Sequence, residues 1–393
     1  MTPCVFPMIP ITVSFFLKKS EEKNHRPVFS ALVYSATIVI VLTLAALLLL
    51  SFFGNLMDTP WMNLFIGLLF IYFTLSLFGM YEIQLPASFS RFTSSREGSG
   101  ITGTIFMALT FTIISFACVA PFLGGFTAGA ASAIADKSIV FKALGALAFA
   151  SMFALPFFFL AMFPSLLKKI PQSGSWMNSV KVVMGFLELA AAFKFLRGAE
   201  RLFTHQDVTF FTYDFVMGIY IALSVLCGLY LLGAFRLPHD SPVESIGVPR
   251  MLLSALFICL GLYLTPSLFK NNEGSRNRPG GVVFAWLDAF LLSDEKGDLP
   301  WQRELAPALV KAQESGQRIF IDFTGVNCTN CALNERDIFP KRKSKRSLQK
   351  YSLVQLYTDT VPKHLYSEED LKNADFDADA AANKEFLKNV FGT

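Results

Sequence analysis

Long apolar runs broken by short polar stretches fill the first two thirds of the chain. A bilayer core takes about 20 apolar residues per helix, within a range of about 17–25. Eight stretches fit, at roughly 1–17, 28–53, 62–80, 103–129, 140–163, 179–196, 213–235 and 251–269. The second is the clearest, running from Val39-Ile40-Val41-Leu42 to Leu47-Leu48-Leu49-Leu50. The first is short and carries Pro3, Pro7 and Pro10. No positive run precedes it and no small-residue cleavage site follows, so it is expected to be a span rather than a signal peptide.

Beyond residue 269 the pattern changes. Asn271-Asn272-Glu273-Gly274-Ser275-Arg276-Asn277-Arg278-Pro279-Gly280-Gly281 reads as a flexible linker. Residues 301–316 have helical spacing, and Arg318-Ile319-Phe320-Ile321-Asp322-Phe323 reads as a buried strand. A second strand is expected at 352–358 and a helix at 379–391. The pattern predicts a multi-pass α-helical membrane domain over 1–269, a linker over 270–298 and a small α/β domain over 299–393.

Composition sharpens this division. The 393 residues are 53% hydrophobic and only 16% charged, against about 25% charged in a soluble domain. Residues 1–269 hold 16 basic and 12 acidic side chains, while the much shorter 270–393 holds 18 of each. The net charge of +4 is small and confined to membrane loops, so no nucleic-acid partner is expected; the membrane lipid is. Six cysteines are too few for a disulfide scaffold in a chain this long and are read one by one.

Lys and Arg in short loops orient the spans. With the first span starting outside, the inner segments 18–27, 81–102, 164–181 and 236–250 carry 11 basic residues. The outer segments 54–61, 130–142 and 197–212 carry four: Lys137, Lys142, Arg197 and Arg201. Eight spans then return the chain to the outside, so the C-terminal block is expected to face the periplasm or exterior. Arg197 and Arg201 dissent from this count.

Two membrane cysteines share one frame, Pro3-Cys4-Val5-Phe6-Pro7 and Ala117-Cys118-Val119-Ala120-Pro121. They fall on the first and fourth spans, which run in opposite directions, as in an inverted-topology repeat. Cys4 lies 13 residues before the inner end of its span and Cys118 lies 15 after the inner start of its own. Both therefore sit roughly 20 Å from the inner face at about 1.5 Å per residue. Pro7 and Pro121 each remove a backbone donor and break the helix beside the thiol. Unwound backbone at that depth is tolerated only where protein or a water-filled cavity covers it, and a reactive thiol needs such polar access. The alternative is that both are small apolar fillers. Cys227 and Cys259 lack the frame and are read as fillers.

In the C-terminal block, Cys328-Thr329-Asn330-Cys331 follows the first strand across Thr324-Gly325-Val326-Asn327, with a helix expected over 331–338. This strand–turn–helix frame is that of a thioredoxin-like redox site. A thiol at a helix N-terminus is favoured as thiolate, and one three residues on can resolve a mixed disulfide. Half a zinc site and a structural disulfide are the alternatives; no second cysteine pair exists in the block and His364 is its one histidine. Asp322 and Glu335 flank the pair, and a carboxylate near a thiol raises its pKa. The run Lys341-Arg342-Lys343-Ser344-Lys345-Arg346 reads as a solvated face, with membrane headgroups as the alternative.

Thr2-Pro3-Cys4-Val5-Phe6-Pro7-Met8-Ile9-Pro10 and Phe116-Ala117-Cys118-Val119-Ala120-Pro121, set among eight spans and followed by the dithiol block, resemble the thiol:disulfide interchange protein DsbD family. The resemblance covers nearly the whole chain. It implies transfer of reducing equivalents from cytoplasmic thioredoxin to a Cys4–Cys118 pair, then to Cys328–Cys331, and on to periplasmic thiol–disulfide proteins, at the bacterial inner membrane. It matches the family's acidic residues to Asp322 and Glu335. Relative to that family the chain is expected to be truncated at both ends. Cys4 follows the first residue almost at once, and Phe391-Gly392-Thr393 comes before the further strands and cis-proline of a thioredoxin fold.

The chemistry expected is a protein-disulfide reductase working by serial thiolate attack on disulfides, with cysteine pairs in place of a bound cofactor; no dinucleotide fingerprint or haem motif is present in the sequence. One alternative is a reductant exporter dedicated to cytochrome c maturation. Another, from a different class, is a soft-metal transporter, since Thr2-Pro3-Cys4 is similar to a thiol–proline copper site and thiolates favour Cu(I).

Overall fold

A computed structural model describes residues 27–52, 59–81, 103–106, 108–109, 112, 139–162, 175–237, 246–269, 279–292, 299–367, 370–372 and 374–391. Six of the eight expected spans coincide with helices: α1 Pro27–Phe52, α2 Pro60–Leu77, α3 Ile139–Met162, α4 Ser175–Phe203, α5 Tyr213–Leu231 and α6 Val248–Leu264. The span expected at 1–17 and most of that at 103–129 lie outside the described residues. Val28–Leu47, Pro60–Leu77, Tyr213–Leu231 and Val248–Leu268 are long and apolar enough to cross a membrane. The last of these continues α6 through the 3-10 turn Thr265–Leu268. Helix α4 differs. Its 29 residues extend about 43 Å at about 1.5 Å each, more than a hydrocarbon core of about 30 Å needs. The excess carries Arg197, Glu200 and Arg201 at its C-terminal end.

The chain forms two compact units, one of residues 1–57, 71–188 and 235–245, the other of 58–70, 189–234 and 246–393. The units divide the chain within α2 and again within α4. In the first unit, α1 lays Ala31, Tyr34, Ile38 and Leu42 against Ala108, Ala150, Ala154 and Phe157. Lipid is as apolar as any side chain, so membrane helices associate by close packing, and the alanines on this seam let the backbones approach.

In the second unit, α5 and α6 form a hairpin on the same principle. A Cβ at Gly228 would lie 2.5 Å from Ile258 Cγ1 and 3.1 Å from the Ser254 carbonyl. Ser254 Oγ donates to the Gly228 carbonyl at 2.7 Å. Tyr213, Val216, Met217 and Tyr220 of α5 meet Leu264 and, from the next segment, Phe284 and Leu291.

The stretch 270–298, expected as a linker, contains the helix α7 Val282–Phe290; residues 270–278 lie outside the described ones. The rest of this unit holds α8 Leu305–Ser315, β1 Arg318–Thr324, α9 Thr329–Leu333 continued by one π turn Asn334–Ile338, α10 Arg342–Leu348, β2 Tyr351–Tyr357 and α11 Phe376–Phe391. The two strands are parallel, with Asp322 opposite Gln355 and Thr324 opposite Tyr357. A parallel pair needs a crossover, which 325–350 supplies. Ser352 to Leu356 are all buried, as expected of a parallel strand covered on both faces. Ala308, Val354 and Leu356 pack with Phe386 on one face. Leu299, Leu348 and Leu353 pack with Trp301, Phe320 and Phe339 on the other.

Substitution Gly228→Leu is expected to cost about 1–3 kcal/mol by overpacking the hairpin, read as a lower melting midpoint of the detergent-solubilised protein. Gly218→Leu, on the same helix with no atom within 4 Å of the added Cβ, is expected to leave the midpoint unchanged.

Candidate functional site

β1 ends at Thr324 and the chain turns through Gly325, Val326 and Asn327 into α9. The buried carboxylate of Asp359, just past β2, holds that turn. Its two oxygens accept from the Val326 N–H at 2.8 Å and the Asn327 N–H at 3.0 Å. Position 325 has to be glycine, because a Cβ there would lie 2.8 Å from Asp359 Oδ2. Burial pushes the Asp359 carboxyl up, and these N–H donors work against it.

The turn delivers Cys328 as the N-cap of α9, where its sulfur accepts from the Cys331 N–H at 3.3 Å. Cys328 and Cys331 are disulfide-bonded, with Cα atoms 5.3 Å apart. The expected helix begins two residues earlier than 331, and this places Cys328 where helix dipole and free N–H groups favour a thiolate. Both cysteines are half-buried.

Asp322 and Glu335 come within electrostatic reach of each other, from the strand and from the π turn. Burial, and then the charge of Glu335, push the Asp322 carboxyl up to about 7, while the Gln355 amide, donating at 3.5 Å, opposes the rise. Glu335 is raised by burial too, against the Thr324 hydroxyl that donates to it at 2.5 Å and the charges of Arg336 and Arg303. A cavity of about 240 Å³ beside the turn is lined by Glu335, Arg303, Arg336, Gln355, Tyr357 and His364, among others.

Cys4, Cys118, Pro7 and Pro121 lie outside the described residues. Cys227 is buried within α5, and Cys259 is exposed on α6. Lys341, Arg342, Lys343 and Arg346 are exposed, in keeping with a solvated face. Among the described residues, no group of three or more His, Cys, Asp or Glu is placed to hold a metal ion. Sequence reasoning missed Asp359. Its one signal is an acidic residue just past a buried strand, too common a feature to single it out.

Residues 1–199 match a family described as the cytochrome c biogenesis protein transmembrane domain. Residues 300–378 match one described as thioredoxin-like. The thiol:disulfide interchange protein DsbD of Vibrio cholerae is 25% identical over 367 residues, covering 90% of this chain and 55% of its own length. That of Campylobacter jejuni is 23% identical over 368 residues, covering 91% and 59%. The Vibrio vulnificus protein of the same name is 30% identical over 198 residues, covering 48% and 32%. The chain thus spans less than two thirds of the length of these curated relatives. No solved structure matches it.

The raised Asp322 carboxyl carries a stability consequence. The folded state holds this proton more tightly than the unfolded state does. Its contribution is therefore full below the unfolded carboxylate range, near pH 4, and is lost as pH rises through about 7. Between pH 5 and 8 the urea midpoint of the C-terminal block, followed by Trp301 fluorescence in a protein lacking its other tryptophans, is expected to fall. The loss should be on the order of 1–3 kcal/mol. Asp322→Asn is expected to flatten that dependence and to be the more stable form at pH 8.

Proposed function

Because the chain belongs to the cytochrome c biogenesis protein transmembrane domain family, we propose that it carries reducing equivalents across the bacterial inner membrane by successive thiol–disulfide exchanges. In this reading cytoplasmic thioredoxin is the donor. Cys4 and Cys118 form the pair within the membrane, Cys328 and Cys331 the pair beyond it, and periplasmic disulfide proteins are the acceptors. The carrying observation is the Cys328–Cys331 disulfide at the N-terminus of α9, in a chain that also holds helices able to span a bilayer.

Each step balances without a further co-reactant. A thiolate of the reduced pair attacks one sulfur of the oxidised pair, a mixed disulfide forms, and the released sulfur takes up a proton. The attacker's second thiol then displaces the mixed bond, so two electrons and two protons have moved and one disulfide has replaced another. The environment of Cys328 suits an intermediate carrier. The helix N-terminus favours the thiolate, while negative charge on Asp322 or Glu335 disfavours it. With Asp322 titrating near neutrality, that restraint varies with local protonation. A second reading, delivery to cytochrome c maturation, is favoured by the description of the matching transmembrane family; it changes the final acceptor and none of the preceding steps.

The loop charges support a periplasmic placement of the C-terminal block, the more so once Arg197 and Arg201 are set aside. Both are buried and donate to backbone carbonyls. They are structural hydrogen-bond donors and do not count as loop charges facing headgroups.

The test uses membrane vesicles supplied with reduced thioredoxin on the cytoplasmic face, with Cys328 trapped by alkylation on the other. Cys4→Ser and Cys118→Ser are each expected to bring reduced Cys328 down to the level seen without thioredoxin. Reduced Cys328 persisting in either variant would defeat the relay.

A further inference from the structure

The turn that presents the dithiol is also tied to the C-terminal end of α4. Asn327, next to Cys328, donates through Nδ2 to the Gly198 carbonyl at 3.1 Å. Gly198 leaves room for this approach, since a Cβ there would lie 3.3 Å from that nitrogen and 3.5 Å from Asn63 Oδ1. On either side of Gly198, one helical turn apart, Arg197 and Arg201 reach the end of α7. Arg197 donates to the Leu291 and Leu292 carbonyls at 2.9 and 3.1 Å, and Arg201 to Leu292 at 2.9 Å. Both carbonyls lie just past Phe290, the last residue of α7, where the helix dipole places partial negative charge that the two guanidinium groups meet. That helix packs Ala289 and Leu292 on Ala332 and Leu333 of the dithiol helix. Its Asp288 pairs with Arg336 at 3.7 Å. A third tie lies just past α4. His205 bonds Thr360 Oγ1 through Nδ1 at 2.9 Å, accepts from the Lys363 N–H at 3.0 Å and stacks on Phe376.

Backbone strain gathers at the same place. Among the described residues, the non-glycine positions with positive φ are His205 at 47°, Gln206 at 75° and Leu292 at 54°. His205 and Leu292 belong to these ties, and the Gln206 N–H donates to the Arg201 carbonyl at 2.8 Å. Such conformations persist where the surroundings over-determine them, and they cluster at functional contacts.

We propose that Asn327, Arg197 and Arg201 form a latch that seats the Cys328–Cys331 pair at the outer end of α4, the position in which it takes reducing equivalents from the membrane, and that opening this latch frees the pair for its soluble acceptor. The inference rests on the relay proposed above. The latch is polar, made of hydrogen bonds that water can replace, and therefore suits a contact that forms and breaks each cycle. Asn327 is a positioning residue in it. It moves no electrons but fixes where the neighbouring sulfur stands, and misplacement by about 1 Å can cost on the order of a hundredfold in rate.

The full chain in proteoliposomes separates this from a merely structural role, with reduced thioredoxin as donor on one face and dithiothreitol as a direct reductant on the other. Asn327→Ala is expected to slow thioredoxin-driven reduction of Cys328 by about tenfold or more, while reduction by dithiothreitol stays within about twofold. Arg201→Lys, which keeps the charge but loses the fork, is expected to fall between wild type and Asn327→Ala. Amide hydrogen exchange over 286–292 and 326–332 should quicken in Asn327→Ala. Wild-type transfer in Asn327→Ala would overturn the latch. If wild type itself passes nothing from thioredoxin, the relay has failed, and exchange decides the latch alone: unchanged protection in Asn327→Ala overturns it, quickened exchange supports it.

Discussion

Arg197 and Arg201 are buried at the C-terminal end of α4. A guanidinium withdrawn from water must find acceptors, and leaving it without them costs far more than a typical hydrogen bond contributes. Here the acceptors are the Leu291 and Leu292 carbonyls, just past α7, and the Phe211 carbonyl. Both sides of the bargain need the other, because the carbonyls of a buried helix end also require donors. The end of α4, the loop after it, helix α7 and through it the dithiol helix are arranged around this one exchange of hydrogen bonds. Glu200 continues the pattern on the next face, accepting from the N–H groups of Thr209, Phe210 and Phe211 and so closing the loop that leads into α5.

The helix N-terminus at Cys328 favours a thiolate, and two acids in the same α/β block, Asp322 and Glu335, are both raised by burial. The Asp359 carboxylate fastens the turn from beneath and leaves the Asn327 side chain to reach Gly198. The geometry of the sulfur pair is thus set from below by one carboxylate and from the side by α4.

Much of this was readable along the chain. Apolar runs of span length appeared as helices wherever the structure describes them, since hydrocarbon admits little else. The strands at 318–323 and 352–358 emerged within one residue of expectation, because a buried parallel strand needs a run of apolar residues. The spacing of Cys328 and Cys331 after a strand placed them at a helix start. Other features were not readable. Helix α7 lies in a stretch read as linker, because the Asn- and Gly-rich segment before it masked a short apolar helix. Arg197 and Arg201 stood out only as dissenters in a charge count, and nothing local to Asn327 or Asp359 distinguishes them from ordinary turn residues.

Local pattern by itself determined which segments form long apolar helices, which form the sheet and where the dithiol sits on its helix. Each of these follows from neighbours a few residues apart, through periodicity, propensity and capping. Tertiary structure alone decided what Arg197, Arg201, Asn327 and Asp359 do, and that the charge of Glu335 raises Asp322. Their partners lie between 13 and about 130 positions away, as from Asn327 to Gly198 or Asp322 to Glu335, and hydrogen bonds and burial depend on distance in space.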